Sequence, residues 1–310
     1  MRAIAITDFG AAPALIEVPD PKPAPGEVLV RVHASSVNGF DLAVAGGMLK
    51  GMMEHRFPVV LGKDFAGIVA TTGEGVSGFA AGDEVFGVVM KPFLGDGGMG
   101  QYVSVGTGLG LAHLPAGLPV AAAGALGLAA TAALDTVEAI APAPGQTVLV
   151  AGATGGVGAF ATQLAVARGA QVIATARPGV EADFVRGLSA AHTADYSADL
   201  TAQVRAIAPP GVDAVLHFAG DAAQLAGLLI SGGRFASTLG ADLDAVGRPD
   251  VTVTAIMAGL NQAALDRLAA DAAAGRLLVP VTRTYPLAEV PQALADFAAG
   301  ALGKLAVTIG

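Results

Sequence analysis

One stretch, Thr147 to Gly169, constrains the fold of this chain more than any other: "TVLVAGATGGVGAFATQLAVARG". An uncharged apolar run leads into Gly152, Gly155, Gly156 and Gly158, and then into a segment where Val157, Phe160, Ala161, Leu164 and Ala165 fall on one helical stripe. The order predicts a buried strand, a tight turn and an amphipathic helix. Gly152 suits the exit from the strand, Gly155 and Gly156 let backbone approach a pyrophosphate, and Gly158 lets the helix pack closely on the sheet. The spacing is G-x-x-G-G-x-G rather than G-x-G-x-x-G, and the chain holds 43 glycines. An ordinary glycine-rich turn is therefore the other reading, and the surrounding strand–helix order decides against it.

That order continues downstream. "AQVIATA" is a strand candidate followed by a helix around Glu181 to Leu188, and "GVDAVLHFAG", "GGRFAST" and "DVTVTAIM" supply further strands with helices between. Alternation of this kind predicts a parallel sheet wrapped by helices. The first third reads differently. "MRAIAIT" and the alternating "GEVLVRVHASSV" are strands, the Pro-rich "PDPKPAPGE" is an exposed turn region, and "VVLGKDFAGIVATTGEGV" and "AGDEVFGVV" are short strands broken by glycine. This predicts a barrel-type β domain. The change comes after "LPAGLP", and the tail returns to strand, helix, strand. The run Leu118 to Leu134 is mostly Ala and Gly, falls short of a bilayer span and is expected to form a buried helix.

With 310 residues, 53% of them hydrophobic and 14% charged, the chain can bury the cores of two domains. A net charge of −9 argues against a general nucleic-acid or acidic-membrane surface, so an anionic ligand needs local donors. No cysteine is present, which excludes disulfides, thiolate metal sites and thiol nucleophiles and fits the expected location, a reducing cytoplasm. "MRAIAITDFG" lacks the apolar core of a signal peptide.

The second strand of the α/β region ends at Thr175 and Ala176 without the acid that commonly binds a ribose 2′-hydroxyl. Arg177 stands there instead, 177 − 158 = 19 positions past the last turn glycine. A guanidinium at that place can pair with a 2′-phosphate, which points to NADPH; a solvated arginine before a helix begun by Pro178 is the plain alternative.

Across its whole length the chain resembles the medium-chain dehydrogenase/reductase family, in its zinc-independent, quinone-oxidoreductase-like branch. The resemblance rests on "PGEVLVRVHASSVNGFDL", "LGKDFAGIV", "GDEVFG", "GGMGQYVSV", "GATGGVG", "SAAHTADY", "GGRF" and "GKLAVTI" in that order. It implies an α/β fold: a GroES-like β-barrel-type catalytic domain over 1–118 and 276–310, and a Rossmann doubly wound parallel-sheet cofactor domain over 119–275. It also implies a cleft between them with the nicotinamide at its base. Zinc-dependent relatives carry a cysteine in the segment matching "SSVNGFD" and a histidine then an acid in that matching "LGKDF"; here Asn38, Lys63 and Asp64 stand there, so no metal is expected.

The cofactor residues the resemblance implies are Asn38 and Thr131 near the nicotinamide, Gly155, Gly156, Val157 and Gly158 at the turn, and Thr175 and Arg177 at the second strand's end. Tyr196 belongs near the adenosine phosphate, Phe218, Ala219 and Gly220 border the nicotinamide, and Lys304 of the closing motif is a cofactor contact. Without a metal, an activated acceptor such as a quinone or an alkene conjugated to a carbonyl is the expected substrate. No proton donor is evident; Lys63 and His217 are the candidates, and solvent is the third. A dedicated biosynthetic enoyl reductase and a non-catalytic NADPH-binding sensor or structural protein remain as alternatives. The apolar "DVTVTAIM" is the expected edge strand of the sheet and the basis for expecting a homodimer.

Overall fold

The computed structural model describes residues 1–310. Contacts divide the chain into two compact units, Met1–Leu128 with Leu260–Gly310, and Ala129–Gly259. The first unit opens with β1 (Arg2–Ile6), β2 (Ala14–Glu17), β3 (Glu27–Ser36), α1 (Gly39–Ala45), β4 (Glu54–His55) and β5 (Val59–Val60). It continues with β6 (Asp64–Thr72), β7 (Glu84–Val88), β8 (Phe93–Leu94), β9 (Tyr102–Gly106), β10 (Leu111–His113) and α2 (Val120–Ala123). Helix α3 (Gly127–Ile140) begins in this unit and runs into the second.

The second unit holds β11 (Thr147–Ala151), α4 (Gly156–Ala167), β12 (Gln171–Thr175), α5 (Val180–Gly187), β13 (His192–Ala194) and α6 (Leu200–Ile207). Then come β14 (Val212–His217), α7 (Ala222–Ala226), β15 (Leu229–Ser237), α8 (Leu243–Val246) and β16 (Thr252–Ala255). The chain returns to the first unit with α9 (Gln262–Ala273), β17 (Val281–Pro286), α10 (Val290–Ala298) and β18 (Lys304–Thr308).

In the first unit, β3 shows the alternation its sequence promised, with Val28, Val30 and Val32 buried and Arg31 exposed. It pairs antiparallel with β6, β9 and β18, so the last strand of the chain lies beside the third. The sheet reads β10-β7-β6-β3-β18-β17, and its core includes Val30, Phe65, Leu305 and Val307.

The second unit is a six-stranded parallel sheet in the order β13-β12-β11-β14-β15-β16. Val148, Leu149 and Val150 are wholly buried, as a central parallel strand covered on both faces requires. Parallel pairing puts the carboxyl ends of β11, β12 and β14 at one edge, and the order reverses there between β11 and β14, the place where doubly wound sheets bind ligands. The segment "DVTVTAIM" forms β16, the edge strand.

Two expectations differ from the structure. The resemblance implies joints at 118 and 275, whereas contacts put them at Leu128 and Gly259. The reason is that α2 packs on β3, β6 and β18, and α9 packs on β10, so both helices belong with the β unit. The run Leu118–Leu134 is not one helix: α2 ends at Gly124, which lies against Ala34, and α3 starts anew at Gly127.

Phe65 is completely buried, and Phe65→Ala is expected to lower stability by about 3–5 kcal/mol in urea titrations. Met257 is 92% exposed, and Met257→Ala should change it by less than about 0.5 kcal/mol.

Candidate functional site

The glycine turn is built by close backbone contact. Gly152 leaves β11 at φ +82°, and a Cβ on Gly158 would lie 2.1 Å from the Gly152 carbonyl oxygen, so that position of α4 admits no side chain. Residues 154–157 are half-buried while Gly158 is buried, and α4 begins at Gly156 with no side-chain cap. The turn is thus free to meet an anion with its own N–H groups. Thr175 at the end of β12 braces it, accepting from the Gly152 N–H at 2.9 Å and donating to the Val150 carbonyl at 3.3 Å. The Phe218 N–H donates to the Ala151 carbonyl, which lays the loop Phe218–Gly220 beside the turn.

His217 ends β14 and is buried. Its Nε2 lies 3.1 Å from the Gly220 carbonyl, which only accepts, so the proton sits on Nε2. Nδ1 then accepts from the Ser237 hydroxyl at 2.9 Å, and that oxygen in turn accepts the Leu239 N–H. Both ring nitrogens are occupied in joining two loops. Thr131 on α3 is fully buried rather than on the helix surface, and its hydroxyl has no hydrogen-bond partner.

At the carboxyl end of β12 the structure corrects the absence of an acid. Glu181, in the first turn of α5, folds back so that its Oε2 accepts the Arg177 N–H at 2.7 Å and its Oε1 accepts Arg177 Nε at 2.8 Å. The Tyr196 hydroxyl donates to the same Oε1 at 3.1 Å, and the Arg177 guanidinium lies 5.7 Å from the Tyr196 ring. Burial alone would raise the Glu181 pKa, but the arginine, its N–H and the phenol outweigh that and hold the carboxyl below its ordinary range. The sign of this acid in the sequence is an i, i+4 Arg–Glu spacing across the start of a helix.

In the first unit a buried polar cluster joins four elements. Lys304, at the start of β18 and 1% exposed, donates to Asn38 Oδ1 at 2.6 Å, to the Val37 carbonyl at 3.1 Å and to Asp64 Oδ2 at 3.4 Å. Asp64 Oδ2 also accepts from the Ser36 hydroxyl at 2.6 Å and Asn38 Nδ2 at 2.8 Å, while Oδ1 accepts the Leu128 N–H at 2.7 Å. Burial lowers the Lys304 pKa, and the charges of Asp64 and Asp41 oppose that shift. Asp41, on α1, accepts the N–H groups of Asn38 at 2.8 Å and Gly62 at 3.1 Å. Its pKa is pushed up to about 7, by burial first, with the Asp64 charge adding and the two N–H bonds and Lys304 opposing. Beside it is a small cleft with a cavity volume of about 20 Å³, lined by Phe40, Asp41, Val44, Leu61, Lys63 and Val89. Lys63 Nζ donates to the Val89 carbonyl at 2.6 Å and lies 4.8 Å over the Phe40 ring. Burial lowers its pKa against the pull of Asp41 and Asp64.

Known proteins match this architecture. Residues 24–116 match the alcohol dehydrogenase GroES-like domain and residues 188–307 the zinc-binding dehydrogenase domain. The chloroplastic quinone-oxidoreductase QR1 of Triphysaria versicolor is 32% identical over 232 residues, 71% of this chain and 68% of that protein. The chain belongs to the medium-chain dehydrogenase/reductase family.

A mycocerosic acid synthase-like polyketide synthase of Mycobacterium tuberculosis is 40% identical over 218 residues, 69% of this chain. The chain spans only 10% of that synthase. The quinone oxidoreductase of Coxiella burnetii superposes with a TM-score of 0.91 at 26% identity, covering 100% of this chain and 99% of that one. The family is one of nicotinamide-dependent dehydrogenases and reductases.

The nicotinamide cofactor fits the residues present in the second unit: an uncapped glycine turn at the start of α4 and a buried Thr131 hydroxyl without a partner. Zinc does not fit. At the family's ligand positions stand an amide whose oxygen receives Lys304 and the ammonium of Lys63, and no group of three His, Cys, Asp or Glu side chains is placed to hold a metal. Lys304, expected as a cofactor contact, is buried, and its donors go to Asn38, Asp64 and the Val37 carbonyl, so it holds Asn38 in place.

A carboxyl whose folded pKa lies above its unfolded value stabilises the fold while protonated. The Asp41 contribution is therefore full below about pH 4 and lost as pH rises through about 7. Stability should fall by about 2–3 kcal/mol between about pH 5 and 8 in denaturant titrations, and Asp41→Asn should flatten that slope.

Proposed function

We propose that the chain is an NADPH-dependent, zinc-independent oxidoreductase that reduces quinones or α,β-unsaturated carbonyl compounds. The observation that carries this reading is Arg177 at the end of β12, its side chain 57% exposed and flanked by Tyr196, where a ribose 2′-phosphate would lie. Quinone oxidoreductases among the relatives and structural neighbours support the acceptor class.

When bound, the nicotinamide supplies the hydride. The chain's own work is to hold both partners, exclude water and steady the charge that develops on the acceptor oxygen. An activated acceptor asks for no metal to polarise it, which suits the donor set at Asn38 and Lys63. Of the two proton donors the sequence offers, His217 is the poorer, because the Ser237 hydroxyl occupies its Nδ1 and its Nε2 proton is held by Gly220. Lys63 is the better: it lines the cleft beside Asp41, and burial eases loss of its proton. A dedicated enoyl reductase is the second reading, favoured by the 40% identity to a segment of a polyketide synthase.

Paired titrations with NADPH and NADH test the cofactor. The wild type is expected to favour NADPH about 10–100-fold, and Arg177→Ala to abolish that preference. Equal affinity would make Arg177 a surface residue, and binding of neither would overturn the enzyme reading. Turnover is then compared on a naphthoquinone, an enone and an enoyl thioester; thioester activity alone selects the second reading, and none with tight NADPH binding selects a sensor or structural protein. Lys63→Met is expected to lower turnover about 100-fold with NADPH affinity unchanged, and an unchanged rate would assign protonation to solvent.

A further inference from the structure

We infer that Glu181 sets the strength of cofactor discrimination: its carboxylate, paired with Arg177, weakens that arginine's attraction for a 2′-phosphate and keeps the unphosphorylated dinucleotide as a competing ligand. The inference rests on Arg177 reading the 2′-phosphate, as proposed above.

Glu181 is built into this place. It lies in the first turn of α5, a helix that starts after Gly179, and the helix N-terminus favours a negative charge there. Its side chain is 10% exposed whereas that of Arg177 is 57% exposed, so the acid sits behind the arginine and the guanidinium faces solvent. Oε1 receives Arg177 Nε and Nη2 and the Tyr196 hydroxyl, and Oε2 receives the Arg177 N–H. With its oxygens occupied in this way, Glu181 is poorly disposed to accept a ribose hydroxyl itself.

Its effect is electrostatic. A phosphate on the outer side of Arg177 is attracted by the guanidinium and repelled by the carboxylate one hydrogen bond behind it. The repulsion is weaker, being longer, yet it acts on a group carrying between one and two negative charges. A neutral ribose feels neither strongly. The acid also accepts the Tyr196 hydroxyl's hydrogen bond, so that donor is not available to a phosphate it could otherwise serve. Removing the charge while keeping the shape should therefore tighten the phosphorylated ligand alone.

The test uses adenosine 2′,5′-bisphosphate and 5′-AMP, titrated calorimetrically into the wild type, Glu181→Gln, Glu181→Ala, Glu181→Asp and Arg177→Ala. Glu181→Gln is expected to bind the bisphosphate about tenfold tighter at low salt and 5′-AMP within about twofold of wild type, the gain shrinking in about 0.5 M salt. Glu181→Ala should change the affinity ratio in the same direction, and Glu181→Asp, which keeps the charge, should leave it near wild type. A ratio unchanged or lowered in both neutral variants overturns the inference, and Glu181→Ala carries the test if Glu181→Gln does not fold. Arg177→Ala separates the two ideas: if it leaves the ratio unchanged the 2′-phosphate reading itself fails, and if it collapses the ratio while the neutral variants do not raise it, only the role of Glu181 fails.

Discussion

The buried ammonium of Lys304 is the constraint on which the first unit depends. An unpaired charge there would cost several kcal/mol, about 3–5 when one partner of a buried pair is removed, so every element that touches it must arrive in register. Ser36 closes β3, Asn38 opens α1, Asp64 opens β6 and Lys304 opens β18, and each contributes a polar atom to the same small volume. Fixing Asn38 in this way fixes the start of α1 and hence Asp41, which reaches across to the Gly62 N–H. Lys63, the candidate acid, follows Gly62 in the chain. The geometry of the cleft thus descends from a charge buried among protein groups.

The second unit solves a different problem, the approach of backbone to backbone. Gly158 must lie against the Gly152 carbonyl for α4 to pack on β11, and Thr175 then ties the end of β12 to the same turn. His217 and Ser237 do for the neighbouring loops what Thr175 does for the turn. The side chains in reach of a dinucleotide are consequently set by hydrogen bonds made before any ligand arrives. Arg177 is the one whose chemistry reaches outward, and it is restrained by Glu181.

Much of this was legible in the sequence, because its signals are local. A strand of period two, a glycine turn and a helix of period 3.6 follow from residues within a few positions of one another, and so did the α/β order, the edge strand and the turn glycines. Asn38, Lys63 and Asp64 were singled out through the resemblance to zinc-dependent relatives, which places an amide and an ammonium where those proteins carry ligands. What eluded the sequence is long-range. Glu181 is the local exception: its i, i+4 spacing from Arg177 was readable, but not that its carboxylate folds back to accept the Arg177 N–H. The joints of the two units were misplaced because α2 and α9 look like helices of the α/β region and are claimed by the β sheet through packing alone.

By itself, then, the sequence determined the two kinds of architecture and the glycine turn between β11 and α4, for these depend on residue type and short spacing. Only the tertiary structure decided that Lys304 is buried against Asn38 and Asp64 and that Thr131 is buried with an unpartnered hydroxyl. The physical reason is the same in each case. Whether a polar side chain meets a ligand or the protein depends on which partners the rest of the fold brings within about 3 Å, and that is not written in the residue's own neighbourhood.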